Sequence, residues 1–509
     1  MSDITFAHLS RQHASSYPNK IAVVDGDVRL TWPEFEARVD RVVTVLNDSG
    51  VGRGDRILWL AQSSFRFLEL FVASARVGAM ICPANWRQSA AELAFVIEDF
   101  DPALIVWQDE EIGERVHEAR KRAGGKARWV QHDSADAEAY DALVDSATPT
   151  TTEFEVSAHD PLLVIYTAAI VDRPSGSMLS HRNLLAMATV TAPITQADHN
   201  SVFVNSGPLF HIGNFQFDSL PVFLMGGTNV YVRRVEAKDL LELIARERVT
   251  SAFLMPPTIM EILELNKAAK LDISSLHAGP FAPIWGDALP ADPALWGSQP
   301  GGFGQTEVTG LCVLNALGGK GLGNSGRPSP LAEVQIIDSS GKPVPNGTSG
   351  EIVVRGETVH CGYWNRPAVN AARLQDGWWR TTDMGRIESD GTLHFLGTMT
   401  RMIKSAAENI YPPEVEACLT SHAAVREAAI IGVPDPRFVQ SVKAVVVLEP
   451  GHTATEAEII DHCRAHIASY KKPKSVAFVE AIPKVAGKTD YDALDAAFGG
   501  GGYPGGANV

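Results

Sequence analysis

The sequence predicts an α/β protein of more than one domain, and three observations carry that expectation. Through residues 21–110, short apolar runs alternate with helix-period segments, the pattern of parallel sheets with helices packed on them. At residues 332–396 the rhythm becomes turn-dense. Ser340-Gly341, Asn346-Gly347, Asp376-Gly377 and Asp390-Gly391 separate short strands such as Glu351-Ile352-Val353-Val354, which predicts a distorted β-barrel or meander. After Thr400 a compact α/β module follows and ends near Phe498. A chain of 509 residues is also too long for one core. These breaks divide it into an N-terminal domain at 1–398, a C-terminal domain at 399–498 and a glycine-rich tail at 499–509 that is expected to be disordered.

The first elements can be justified one by one. Ile21–Val24 and Val28–Leu30 flank Asp25-Gly26-Asp27, a hairpin signal. Thr31-Trp32-Pro33-Glu34 has the form of a capping box with proline in the first turn. The helix it opens carries Phe35, Val39, Val42, Val43 and Leu46 at helical spacing. Ile57–Leu60 reads as a strand, residues 65–77 as a helix and Leu104–Trp107 as another strand. Residues 111–160, rich in Ala, Asp and Glu, read as peripheral. The longest apolar run, Leu162 to Val171, is far short of a membrane span and reads as a buried strand entering a loop.

Charge and cysteine content narrow the function classes. Lys and Arg number 44 against 60 Asp and Glu, a net charge of −16 that argues against general nucleic-acid binding. The five cysteines are scattered, odd in number and without CxxC spacing, so neither a disulfide framework nor a zinc site is expected. With no apolar leader in residues 1–20, the expectation is a cytoplasmic protein.

Chemistry concentrates at Gly302-Phe303-Gly304-Gln305-Thr306-Glu307. Its amide, hydroxyl and carboxylate suit a phosphate and its magnesium ion, although a solvated turn before a helix would look the same in isolation. Two other motif matches fail. Gly321–Gly326 spells GxGxxG, but no apolar strand precedes it and Arg327-Pro328-Ser329-Pro330 cannot open a helix. Gly487-Lys488-Thr489 ends like a phosphate loop, yet Ile482 stands where the earlier glycine is required.

Taken together and in order, the stretches resemble the AMP-forming adenylating superfamily of acyl-CoA synthetases, peptide-synthetase adenylation domains and luciferases. The resemblance runs from about residue 5 to 495. It implies a large N-terminal domain, a mobile C-terminal lid, and activation of a carboxylic acid by ATP before transfer to a thiol. Gly302–Glu307 resembles the motif YGxTE, which places Phe303, Gly304 and Gln305 at the nucleotide, Thr306 at the α-phosphate and Glu307 on Mg²⁺. Trp379–Asp383 resembles the TGD motif and implies that Asp383 accepts from the ribose hydroxyls. Ile284–Pro290 resembles the adenine-side loop GGExLP, implicating Gly286, Asp287 and Ala288, with Trp285 replacing a glycine beside the nucleotide or acyl pocket. Pro483–Lys488 resembles PxxxxGK, one residue short, and assigns Lys488 to bridging the substrate carboxylate and the α-phosphate. Gly350–Pro367 also matches but reads as structural, with Cys361 a packing residue rather than a nucleophile.

The substrate class turns on Pro208–Gly213 and the competing Phe217-Asp218-Ser219. An aspartate in FDxS would hold an amino acid's amine. His211 lies fifteen residues before Gly226-Gly227-Thr228, the acyl-CoA synthetase spacing, whereas Asp218 lies only eight before it, so Asp218 is set aside as coincidental. His211, Phe215, Trp285 and Gly310 are then expected at the acyl pocket, with apolar walls from among Phe215, Phe217, Phe223 and Met225.

Three segments depart from the family pattern. The phosphate loop T-S-G-T-T-G-x-P-K-G is replaced by Thr167–Gly176, which keeps Thr167 and offers Arg173 but loses two hydroxyls, a glycine and the lysine. At the hinge, Thr398 replaces an arginine, Thr400 takes the pivot position, and Arg401 is the residue that could reach the nucleotide. Lys404-Ser405-Ala406-Ala407-Glu408 replaces the loop that lines the pantetheine tunnel, with Lys471 and Lys472 as further candidate CoA phosphate contacts. The expected activity is an ATP-dependent acyl-CoA synthetase of the kind used in fatty acid metabolism, acting on a small carboxylic acid with Mg²⁺ and CoA. The alternatives are a ligase loading a separate carrier protein and a catalytically weak acyl- or nucleotide-binding homologue. A homodimer is left open.

Overall fold

The computed structural model describes residues 4–150, 154–167, 174–292, 294–319, 325–399, 401–406, 408–485 and 488–504. Thr31 caps the helix Trp32–Asp48 through the reciprocal bonds with Glu34 that the capping box predicts. The strands Ile21–Asp25 and Val28–Thr31 form the expected antiparallel pair.

Two mostly parallel sheets build the larger part of the molecule. One has the order Ser251–Ala252, Val202–Asn205, Thr228–Tyr231, Ile21–Asp25, Val28–Thr31. The other runs Arg128–Gln131, Leu104–Trp107, Arg56–Leu60, Met80–Pro83, Pro161–Thr167, Ser175–Ser180. Between them lies the helix Phe65–Val77, in which every residue but Arg66 is buried. A helix apolar nearly all round can only sit where both faces meet protein, and one core cluster accordingly joins Val23 and Tyr231 of the first sheet to Ile57 and Leu163 of the second. The helix's two buried charges are paired: Glu69 accepts from Arg38 at 2.8 Å, and Arg76 donates to Glu36 and Asp40 at 2.6 Å.

The turn-dense stretch forms an antiparallel sheet of Ala332–Ile337, Gly350–Gly356, Trp378–Ile387, Leu374–Gln375 and Leu393–Thr398. Beyond it, Glu408–Ile410, Ile403–Ser405, Val439–Leu448, Val425–Asp435 and Ser475–Phe478 make a sheet with its own core around Ile430, Val446 and Ile459. This C-terminal unit docks on the helix Ala90–Phe100 and the loop before it. Lys471 pairs with Glu92 at 2.7 Å, Ser89 donates to the His466 carbonyl at 2.9 Å, and Asn85 donates to the Tyr470 hydroxyl at 3.3 Å.

Several expectations need correction. Residues 111–160 are not merely peripheral, because Arg128–Gln131 extends the six-stranded sheet and Tyr140 is fully buried. The tail is ordered at its start: Gly501 donates to the Gly432 carbonyl, and the Tyr503 hydroxyl accepts from the Gly432 amide and donates to Asp495. Phe215 and Phe223 belong to the main core, against Phe67 and Phe71 and against Phe6 and Trp32, while Met225 is surface-exposed. No helix among the described residues is long and apolar enough to cross a membrane.

Candidate active site

The site is built on a β-hairpin. Strands Gly302–Gln305 and Gly310–Leu314 pair with a bulge at Phe303 and Gly304, and Thr306 and Glu307 occupy the tight turn between them. The glycines are required sterically: a Cβ on Gly304 would stand 1.8 Å from the Gly310 carbonyl, and one on Gly302 would stand 2.1 Å from that of Val313. Gly310 itself has φ +130°, a conformation that side chains disfavour.

Around this turn the acids are held by specific donors. Gln305 donates its amide to Asp383 at 2.6 Å and to the Thr381 carbonyl at 3.0 Å, tying the hairpin to the strand Trp378–Ile387. Burial pushes the Asp383 carboxyl up to about 7; the bond from Gln305 opposes this, and the charges of Glu307 and Glu351 add to it. Glu307 is also buried and raised, chiefly by desolvation, and it accepts the Tyr363 hydroxyl at 2.6 Å. Arg373 lowers both carboxyls through its charge. Tyr363 lies in a stretch read as structural, so the sequence reading missed its contact with Glu307, and it missed Arg373 too. Cys361, expected as a packing residue, is instead exposed, its Sγ lying 3.9 Å from the His159 carbonyl and the Asn183 amide oxygen.

Beside the turn opens a cavity of about 480 Å³, lined by Gly304, Gln305, Thr306 and Gly310 on one side and by His211, Phe217 and Trp285 among others. The Gly213 amide donates to His211 Nδ1 at 3.1 Å, so a neutral imidazole carries its proton on Nε2. Phe217 packs on Trp296 at 4.6 Å between ring centroids, a second wall residue the sequence did not disclose. From the C-terminal unit, Lys404 and Asn409 reach the same cavity, with the Lys404 ammonium donating to Asn409 at 2.7 Å. Burial lowers the Lys404 pKa, and Glu408 opposes that shift.

Other expected site residues lie elsewhere. Phe303 is turned into the core and packs on Phe395 at 5.6 Å, so its ring is not presented to a nucleotide base. Gly286, Asp287 and Ala288 form an exposed turn, leaving only Trp285 of that loop at the cavity. Phe215 does not reach the cavity, because its ring fills the core. Arg401 pairs with Asp495 and lies over the rings of Tyr491 and Tyr503, which commits it to the C-terminal unit rather than to a nucleotide. Lys471 is buried between Glu92 and Glu414, so it is no phosphate contact, whereas Lys472 is half-buried and donates to the Ser469 carbonyl at 3.2 Å. Lys488 is exposed on the hairpin Lys484–Val485/Lys488–Thr489 and borders a surface depression with Arg426 and Glu427, away from the cavity lining. Thr167 ends its strand with its hydroxyl 3.4 Å from the Ser175 carbonyl. Residues 168–173 of the altered phosphate loop, Thr400 and Ala407 fall outside the described residues. Ser405, Ala406 and Glu408 continue the strand-and-turn that carries Lys404, with Glu408 3.5 Å from Arg87.

Comparison with known proteins places this geometry in a family. The profile of the AMP-binding enzyme matches residues 10–364, and that of the AMP-binding enzyme C-terminal domain matches residues 414–488. The chain belongs to the AMP-forming adenylating enzymes. Among the relatives of this adenylating enzyme is a feruloyl-CoA synthase from Amycolatopsis sp, 33% identical over 93% of this chain and 94% of that protein. An indoleacetate–CoA ligase from Aromatoleum aromaticum is 29% identical, covering 94% and 96%. The fold is shared with an amide bond synthetase from Marinactinospora thermotolerans, which superposes with a TM-score of 0.82 at 24% identity over 97% of this chain and all of that one. The adenylating enzyme's large N-terminal domain and smaller C-terminal domain are those of this family.

Proposed function

We propose that the protein is an acid–CoA ligase. It joins a carboxylic acid to ATP as acyl-AMP with release of pyrophosphate, and then transfers the acyl group to the thiol of CoA. The observation that supports this best is that one short hairpin serves two places at once. Gly304, Gln305 and Thr306 line the cavity, while Gln305 is bonded to the buried carboxyl of Asp383. An acid in the cavity and a ribose on Asp383 would therefore meet at Thr306.

In this reading the substrate carboxylate oxygen attacks the α-phosphorus and the bond to the pyrophosphate oxygen breaks. Asp383 accepts from the ribose hydroxyls, Thr306 donates to the α-phosphate, and Lys488 places its ammonium where charge develops. Glu307 fits a magnesium ion: it is a buried carboxylate with Tyr363 as its side-chain donor, and no set of three metal-ligating side chains surrounds it among the described residues. Mg²⁺ takes one or two carboxylates and completes its shell with phosphate oxygens and water; when bound it lessens the repulsion between acid and polyphosphate. With Lys488 outside the cavity lining and Lys404 and Asn409 at it, this reading takes the arrangement as one suited to thiol transfer. The thiol then attacks the acyl carbonyl and AMP leaves. The aromatic walls Phe217, Trp285 and Trp296 favour aryl acids over long alkyl chains.

Pyrophosphate release over a panel of aryl, alicyclic and alkanoic acids, with and without CoA, tests this. The expected result is acid-dependent release with a CoA-dependent thioester as product. Accumulation of acyl-AMP despite CoA would point to another acceptor, such as a carrier protein, and would contradict the CoA assignment.

A further inference from the structure

Asp218, which its spacing from Gly226 marks as coincidental, lies in the wall of the cavity. It sits on a single π-helical turn, Phe215–Ser219, in which Phe215, Gln216, Phe217 and Ser219 are all buried. Such turns widen the helix by one residue and recur at functional sites. Here the turn leaves Asp218 as the half-buried member, exposed towards the cavity that it lines. The cavity it lines has apolar walls from Phe203, Phe217, Ala252, Leu276 and Trp296 among others.

No donor among the described residues answers this carboxyl. Among the described residues it makes no hydrogen bond or ion pair, and burial alone pushes it up to about 8. The contrast with the other enclosed acids is direct, since Asp25 has Ser64, Glu69 has Arg38 and Asp383 has Gln305. Nor does Lys404, which lines the same cavity, answer it: burial is the one influence on the Asp218 carboxyl, and the ammonium's charge adds nothing to it. A carboxyl in an apolar wall is costly to desolvate unless the occupant supplies a partner. An occupant with a plain hydrocarbon surface would strip Asp218 of water and give nothing back.

We propose that Asp218 is a specificity-determining residue that selects carboxylic acids bearing, besides the reacting carboxylate, a group that donates a hydrogen bond to it: a protonated amine, or a neutral N–H or O–H. This rests on the reading of the cavity as the acid pocket and adds a second point of recognition to it. It also reassigns the aspartate. Eight residues before Gly226, Asp218 is out of place for an amino acid's α-amine, and the donor it meets is a substituent carried on the body of the acid.

Matched para-substituted phenylpropanoic acids that carry aminomethyl, hydroxyl or methyl groups test the assignment in the full-length protein. Binding is read by thermal shift and calorimetry without turnover, and kcat/KM by ATP-dependent pyrophosphate release. The wild-type protein is expected to prefer a donor-bearing acid over the methyl acid by about 10–10²-fold, the scale of one hydrogen bond to an acidic group left unmade on burial. The aminomethyl and hydroxyl arms separate a cationic from a neutral donor. Asp218→Leu is expected to reverse the order, and the wild-type ratio stands by itself if that variant folds poorly. Equal binding of all three acids, preference for the methyl acid, or binding of none of them would overturn the role of Asp218. Turnover without donor preference would do so while leaving the ligase reading intact. Preferential binding of donor acids with no turnover in the presence of ATP would sink the ligase reading and leave Asp218 standing.

Discussion

Replacing Lys488 with alanine is expected to slow adenylate formation by about 10²–10³, the scale of one preorganised donor lost from a site of developing charge. Thioester formation from supplied acyl-AMP should stay near the wild-type rate. The separation follows from the placement of the two lysines. Lys404 reaches the cavity from the strand Ile403–Ser405, while Lys488 stands exposed on a two-stranded hairpin at another face of the same unit. Since the two lysines line different pockets, the proposed function has each half-reaction draw on a different edge of that unit. Because Lys488 is exposed, the variant should unfold at the wild-type temperature, and lost rate cannot be charged to lost fold. Stopped-flow pyrophosphate release and a separate acyl-AMP-to-thioester assay measure the two steps. Equal loss in both would contradict the division of labour.

The second large effect concerns Asp383, where stability and function pull apart. Burial raises its carboxyl from the ordinary value of 3.8 to about 7, so between these pH values the folded protein holds a proton that the unfolded chain has released. Proton binding by the native state stabilises it at low pH, and that contribution is lost as pH rises from about 4 to 7 and is flat above. At 1.36 kcal/mol per pH unit, the full effect is of order 4 kcal/mol. Asp383→Asn removes the titrating group, so the variant should match the wild type near pH 4 and be several kcal/mol more stable at pH 8. The same change should weaken ATP binding about 10- to 100-fold, because hydrogen bonds to a charged acceptor are the stronger ones. Urea denaturation across pH 4–8.5 reads the first effect and calorimetry with ATP the second. A stability gap independent of pH would show that Asp383 is ionised throughout.

Much of the fold was legible because local signals agreed with the tertiary structure. Thr31 and Glu34 cap their helix as the pattern requires, and the helix at 65–77 and the strand at 104–107 fall where apolar spacing puts them. The site was legible as motifs but less so as contacts. Gln305, Thr306 and Asp383 are brought together, yet the ring of Phe303 is spent on the core and Arg401 on Asp495. Phe215, Phe217 and Phe223 look alike in sequence. Phe215 and Phe217 share a π-helical turn that sends Phe217 to the cavity and Phe215 to the core, and Phe223 on the next helix is also in the core. That turn also explains Asp218: counting along the chain locates an aligned position, not the direction in which a side chain leaves an irregular helix. Tyr363 was hidden for a different reason, since its contact with Glu307 spans 56 residues and no local pattern announces it.

The most direct test is a single turnover with enzyme in excess over a turned-over acid, with ATP and magnesium but no CoA, quenched and analysed by mass spectrometry. One acyl-AMP per active site, chased completely to thioester when CoA is added, is the predicted result. Thioester formed with ADP and phosphate as by-products, or with no adenylate at any time, would contradict it.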